Sequence, residues 1–128
     1  MKNPVQAFFA CLADGDAEGA LAQVHEQAVF EAQGPERVPI YGVFEGHTGV
    51  RRFLATLGEL FDTEALDIHQ WAEAGDTVFA HGRMQHQVRR TDRTFACEWA
   101  LVCRLANGRI ISYKMFEDTA ALVAAYTD

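Results

Sequence analysis

The sequence has few cysteines and no long hydrophobic run, and each shortage excludes a class of protein. Its three cysteines, Cys11, Cys97 and Cys103, do not form a CxxC pair. A disulfide scaffold is therefore not expected, and the thiols are predicted to be reduced in a cytoplasmic protein. No apolar run approaches the ~20 residues that a membrane-spanning helix needs. The first residues contain no signal-peptide hydrophobic region.

Basic residues are also scarce. Lys and Arg together number 11 and Asp and Glu 18, which gives a formal net charge of −7. Neither nucleic acid nor an anionic membrane is an expected partner, because both are bound through a surplus of cations. The length of 128 residues and the 49% of hydrophobic residues predict one globular domain over 1–128.

Nucleotide and metal motifs are missing as well. The glycines at 42, 46 and 49 form neither GxGxxG nor a P-loop, and the five histidines show no HExxH spacing. A Cys/His quartet is also lacking. The sequence therefore predicts no metal site and no cofactor.

Helix patterns dominate the first half of the chain. Apolar residues recur at helical spacing in three segments. The first covers 5–12, the second runs from the expected N-cap Asp16 to Val24, and the third covers 48–61, with Thr48 as its expected N-cap. A short strand is predicted over 28–32. Residues 33–41 contain glycine and prolines and are predicted to form a loop.

In the second half, the hydrophobic period changes to two. It predicts antiparallel strands near 63–73, 76–90, 93–105 and 109–117. Asp118 or Thr119 is then expected to cap a short final helix. The predicted fold class is α+β, with three helices from the first half packed on one face of a curved antiparallel sheet.

The first hairpin determines the predicted position of His86. A two- or four-residue loop around Thr91-Asp92 places His86 opposite Cys97 and Met84 opposite Trp99. All four side chains then share one mostly apolar face.

The second hairpin extends the same row. A three-residue loop over 106–108 places Cys97 opposite Glu117, whereas a two-residue turn would direct Lys114 inward. His86 and Glu117 then lie in one row, with backbones roughly 10 Å apart across two strand spacings. Buried ionisable groups are costly unless they are paired, so a cavity or a partner is expected there.

Five short segments, in this order and spacing, resemble the SnoaL-like branch of the nuclear transport factor 2-like superfamily, which also contains ketosteroid isomerases. They are LADGD at 12–16, HEQAVF at 25–30, YGVFEG at 41–46, GRIIS at 108–112 and FED at 116–118. The resemblance covers nearly the whole chain. It implies a cone-shaped domain with a deep pocket between sheet and helices, usually in a homodimer.

The chemistry of that family is only partly transferable. The isomerases use a Tyr, an Asp base and a second Asp, and the corresponding positions here are Phe8, Ala32 and Leu101. Steroid isomerase activity is therefore not expected. The resemblance to the cyclases implies a pocket Asp with a supporting His, roles for which His86 and the nearby Asp118 are candidates.

Three residues are predicted to be catalytic, and each has a structural alternative. His86 is a proton-transfer group or a buried core imidazole. Glu117 is its carboxylate partner or a charge at the rim of the sheet. Asp118 is an acid/base or simply a helix N-cap.

A further group of residues is predicted to line a ligand pocket, although its members could equally be core or surface packing. They are Trp99, Tyr113, Met115, Leu101, Met84, Cys97, Tyr41 and Phe8. Cys97 next to His86 could also be a nucleophile, or inert packing.

Three functions remain open from the sequence. The first is an isomerase or cyclase that performs cofactor-free proton transfer on an apolar or aromatic carbonyl compound. The second is a non-enzymatic binding protein with the same cavity. In the third, the exposed sheet face forms a homodimer or another interface through its mixed polar residues, Arg83, Gln85, Gln87, Arg89 and Glu98.

Overall fold

Four helices and six strands follow one another along residues 3–128, the part of the chain that the computed structural model describes. They are α1 Pro4–Ala13, α2 Ala17–Ala22, β1 Val24–Ala32, β2 Gly42–Glu45, α3 Gly46–Leu60, β3 Phe61–Ala74, β4 Thr77–Val88, β5 Arg93–Ala106, β6 Arg109–Phe116 and α4 Thr119–Tyr126. The predicted α+β class is confirmed.

Local capping explains where the first helices begin. The Asn3 side chain accepts from the Gln6 amide at 2.9 Å while the Gln6 side chain accepts from the Asn3 amide at 3.0 Å, a reciprocal capping box. Asp16 caps α2, as predicted, by accepting from the Gly19 amide at 2.9 Å. Val24, however, begins β1 instead of extending α2.

The sheet has the order β2-β1-β6-β5-β4-β3. The meander from β3 to β6 is antiparallel, as predicted, but β1 pairs with β6 in parallel. β2 was not predicted, since four residues at a sheet edge carry too little periodicity to be detected. The third helix starts at Gly46, two residues before Thr48, and Glu45 at its N-cap makes no side-chain capping bond.

The predicted register between β4 and β5 is wrong by two residues. His86 pairs with Phe95 and Met84 with Cys97, because the loop comprises residues 89–92. The Thr91 and Asp92 amides both donate to the Val88 carbonyl, and Asp92 takes the positive φ of 60°. A shift of two preserves the face on which every side chain lies.

The register between β5 and β6 is also wrong by two residues. Asn107 and Gly108 have φ values of 54° and 73° and form a two-residue turn that pairs Ala106 with Arg109. A bulge between Arg104 and Leu105 then restores the face pattern. Lys114 therefore points outward despite the two-residue turn.

These two shifts separate the residues that were expected to share a row. Phe116 pairs with Ala100, and Glu117 follows it, whereas His86 is level with Phe95. Because the pairing is antiparallel, Glu117 lies level with Trp99, and the four residues from Phe95 to Trp99 correspond to roughly 13 Å along the strand. The predicted His86–Cys97–Glu117 row does not exist, although His86 and Glu117 still face the helices.

Two irregularities in β3 explain why its inward face was hard to predict. The pairing with β4 shifts between Thr63 and Ala65 and again between Ile68 and Gln70. Inward-facing residues are consequently spaced two, three, two and three apart from Phe61 to Trp71. No strict alternation could describe such a strand.

The inner face of the sheet packs against the helices. Tyr113 on β6 stacks on Phe30 of β1, with ring centroids 4.3 Å apart, and contacts Phe8 of α1 and Phe53 of α3. On the opposite face, Lys114 reaches Glu31 at 3.5 Å. Among residues 3–128, no helix is long and apolar enough to cross a bilayer.

Candidate functional site

A cavity of about 770 Å³ lies between the inner face of the sheet and the helices. Most of its wall is apolar, and the polar groups are concentrated at a few positions. The lining residues are Gln6, Phe8, Phe9, Ala10, Leu12, Ala13, Ala32, Ile40, Phe53, Leu57, Phe61, Thr63, Glu64, Ala65, Leu66, Ile68, Trp71, Met84, His86, Phe95, Tyr113, Met115, Glu117 and Leu122. A cavity of this size and character is typical of small-molecule sites.

The structure divides the predicted pocket residues into two groups. The four that line the cavity are Phe8, Met84, Tyr113 and Met115. Trp99 and Leu101 lie in the core instead, each 1% exposed, and Cys97 is also outside the lining. The register shift explains this, since Trp99 is level with Gly82 rather than Met84. Tyr41 does not line the cavity itself but contacts a residue that does.

That contact is with Glu117. The Tyr41 hydroxyl donates to Glu117 Oε2 at 3.1 Å, across 76 residues of sequence. Burial raises the pKa of the Glu117 carboxyl above its usual value, the bond from Tyr41 opposes this rise, and the neighbouring Asp118 charge adds to it. Burial and the Glu117 charge raise the pKa of Tyr41 as well, so that its hydroxyl stays protonated.

Gly34 leaves the space that the Tyr41 ring occupies. A Cβ atom at Gly34 would lie 2.4 Å from Cδ2 of Tyr41, closer than two carbon atoms can approach. The Tyr41 amide also donates to the Val38 carbonyl at 3.0 Å, which closes the turn before β2. The loop over 33–41, which sequence analysis identified only as a connection, thus supports Glu117.

Asp118 has a different role from its neighbour. Its side chain accepts from the Ala121 amide at 3.0 Å and caps α4. It is exposed and outside the cavity lining. The capping alternative therefore describes its contacts, and it acts on the site only through its charge beside Glu117.

His86 occupies a different part of the same cavity. It is 8% exposed and stacks on Phe61, with ring centroids 4.4 Å apart, and on Phe95 at 6.2 Å. Its Nδ1 atom is 2.9 Å from Thr63 Oγ1, and its Nε2 atom is 3.3 Å from Met84 Sδ. It makes no contact with Glu117, so the predicted pair is not formed.

These partners favour one tautomer of the His86 ring. A thioether sulfur can only accept, so the contact with Met84 favours the tautomer in which Nε2 carries the hydrogen and Nδ1 accepts from the Thr63 hydroxyl. Burial lowers the pKa of His86 to about 4. The ring is therefore neutral at pH 7 and poorly suited to act as a base there.

The remaining reactive groups offer less chemistry. Burial raises the pKa of the Cys97 thiol, which opposes formation of a nucleophilic thiolate. Within residues 3–128, no three His, Cys, Asp or Glu side chains are grouped so that they could hold a metal ion.

Several residues of the site carry no clear signal in the sequence. Thr63 and Trp71 lie on β3, where the bulges conceal the inward face. Phe61 was assigned to the end of the third helix but begins β3. Phe95 has the same parity as Cys97, and only the correct register would have placed it next to His86.

Comparison with known proteins determines the family. The model of the SnoaL-like domain family matches residues 5–113. The chain belongs to the SnoaL-like family. None of the curated proteins matches this SnoaL-like chain.

Solved structures share its fold. An NTF2-like protein from Burkholderia xenovorans is 26% identical, with a TM-score of 0.89 over 97% of this chain and 93% of the other. One from Burkholderia thailandensis is 26% identical, with a TM-score of 0.87 over 100% of both chains. TerC, co-crystallised with polyporic acid, is 21% identical, with a TM-score of 0.85 over 96% of this SnoaL-like chain and 95% of TerC.

Proposed function

We propose that this SnoaL-like protein binds a small, largely apolar or aromatic carbonyl compound and catalyses cofactor-free proton transfer on it. Glu117 is the acid/base group, and Tyr41 positions and tunes it. The observation that carries the proposal is a half-buried carboxyl group with a raised pKa on the wall of an apolar cavity.

The chemistry follows from that environment. A carboxylate with a raised pKa is a stronger base than one in water, and its acid form persists to higher pH. Glu117 takes a proton from the carbon next to the carbonyl group, so that a C–H bond breaks and an O–H bond forms. The electron pair remains on the substrate as an enolate, and return of the proton to another atom completes an isomerisation.

Proton exchange tests this function without a known substrate. In D₂O, the protein is expected to speed deuterium incorporation into the methyl group of para-acetylbiphenyl, followed by NMR. Glu117→Gln should lower the rate by about 100-fold or more, the usual contribution of a general base. Glu64→Gln is the matched control, because Glu64 also lines the cavity but is exposed.

Two outcomes would contradict the assignment. Equal losses in the Glu117 and Glu64 variants would show that the rate does not depend on the buried carboxyl group. Binding of the ketone without exchange would leave the non-enzymatic binding protein as the better description.

We propose in addition that the protein forms a homodimer through its outer sheet face. Val29, Val43, Phe79 and Phe116 are exposed on that face, at 37%, 51%, 39% and 47% respectively. The same face carries both signs of charge, such as the Glu31–Lys114 pair. A surface with apolar residues and mixed charges can be self-complementary about a two-fold axis.

Substitution of Phe79 tests this dimer. Phe79→Glu is expected to shift the protein from dimer to monomer in sedimentation velocity, because a charge would be buried in the interface. Leu66→Glu is a matched control, since Leu66 has the same 39% exposure but faces the cavity. A monomeric wild-type protein would contradict the proposal.

A further inference from the structure

His86 is a strong hydrogen-bond donor with a weak partner. The residue lines the cavity, and its Nε2 atom is directed at the thioether of Met84, 3.3 Å away. A thioether sulfur is a much poorer acceptor than a carbonyl oxygen or a hydroxyl group. The opposite side of the ring is held by Thr63, so the direction of the Nε2–H bond is fixed.

The surroundings of His86 determine what could replace that sulfur. Phe61 and Phe95 stack nearly parallel to the imidazole, at interplanar angles of 19° and 20°. Glu64 is the charged residue of the lining on the adjacent strand, but it is exposed and accepts from Gln85 on the outer side. An uncharged acceptor attached to a flat ring system suits these walls, because an unpaired charge would be costly there.

The distance between the two polar groups defines the shape of the ligand. His86 and Glu117 are separated by two strand spacings and by four residues along β5, which together amount to roughly 16 Å between backbones. Both nevertheless line one cavity. A ligand that reaches both must be elongated and carry a polar group near each end.

We propose that His86 is a neutral anchoring donor, and that the ligand is an uncharged, elongated aromatic compound. Its terminal oxygen displaces the Met84 thioether from Nε2–H while its other end lies at Glu117. This inference rests on the proposed function and adds the substrate class and the orientation of the substrate. His86 does not transfer a proton in this scheme.

Two probes that differ in one acceptor test the anchor. Para-acetylbiphenyl carries one carbonyl group, whereas para,para′-diacetylbiphenyl carries one at each end. The wild-type protein is expected to bind the diacetyl probe roughly five- to tenfold more tightly, the usual effect of one additional hydrogen bond. Quenching of Trp71, which lines the cavity, reports the binding.

Variants locate the origin of this preference. His86→Phe keeps an aromatic ring between Phe61 and Phe95 but removes the donor, so both probes should bind with equal affinity. Met84→Leu removes only the competing sulfur and should preserve or increase the preference for the diacetyl probe. In the wild-type protein, the Nε2–H proton resonance should move with the diacetyl probe and not with biphenyl, a readout that needs no variant.

The outcomes separate this inference from the proposed function. If the probes bind but His86→Phe leaves their affinity ratio unchanged, or the Nε2–H resonance does not respond, the anchor is wrong and the role of Glu117 stands. If the anchor behaves as expected but Glu117→Gln retains exchange, the catalytic role fails and the orientation stands. If neither probe binds, both proposals fail.

Discussion

Gly82→Ala is expected to lower the free energy of unfolding by about 3 kcal/mol, a large loss for a domain of this size. A Cβ atom at Gly82 would lie 1.9 Å from the Asp67 carbonyl oxygen and 2.6 Å from Cζ2 of Trp99. The first contact is with backbone, and the second is with a fully buried indole, so neither neighbour can move aside cheaply.

Chemical denaturation measures this loss, and a second glycine provides the control. Gly58 lies in α3 with no atom within 4 Å of its added Cβ. Gly58→Ala should therefore stabilise the protein by up to about 1 kcal/mol through helix propensity. Similar stabilities for the two variants would show that β3 and β5 do not approach Gly82 as closely as described.

Removal of the imidazole of His86 is expected to make the free energy of unfolding depend less on pH between about 6.5 and 4. The unfolded chain protonates this histidine near pH 6.5, whereas burial delays protonation in the folded state to about pH 4. Between these values the unfolded state binds more protons, so folding stability falls as the pH is lowered from about 6.5 to 4. The loss due to His86 is about 2 to 3 kcal/mol.

Urea denaturation at several pH values tests this dependence. The stability of the wild-type protein minus that of His86→Phe should decrease by the stated amount toward pH 4. His86→Gln is the matched control: it differs from His86→Phe in packing but should give the same pH dependence, since neither side chain titrates. Glu117 changes stability in the opposite direction over an overlapping range, and the subtraction removes its contribution. Parallel curves for all three proteins would contradict a buried, neutral His86.

Sequence patterns predicted the helices and strands of this fold better than they predicted which residues pair between neighbouring strands. The apolar stripe of α1, the Asp16 cap and the turn at Asn107-Gly108 are local signals, and each is present in the structure. Register depends on loop length and bulges, and the bulge next to Arg104 allows a two-residue turn while Lys114 stays on the outer face. The sequence contains no local signal for this bulge.

In the site, too, the face of each residue could be predicted but its contacts could not. His86 and Glu117 were correctly assigned to the inner face, because face depends only on parity. Their hydrogen-bond partners could not be predicted. Tyr41, the partner of Glu117, lies in a loop 76 residues away in sequence. Thr63, the partner of His86, lies on β3, where the bulges break the alternation of inward and outward residues. Contacts of this kind depend on tertiary packing.

A carbon-13 NMR titration of the Glu117 carboxyl group measures its pKa directly. The wild-type pKa is expected to lie above 4.5. Tyr41→Phe should raise it further, because a donor to the carboxylate is lost, whereas Asp118→Asn should lower it by removing a neighbouring negative charge. A wild-type pKa at or below 4.5, unchanged in both variants, would contradict a carboxyl group buried in the cavity wall and tuned by Tyr41.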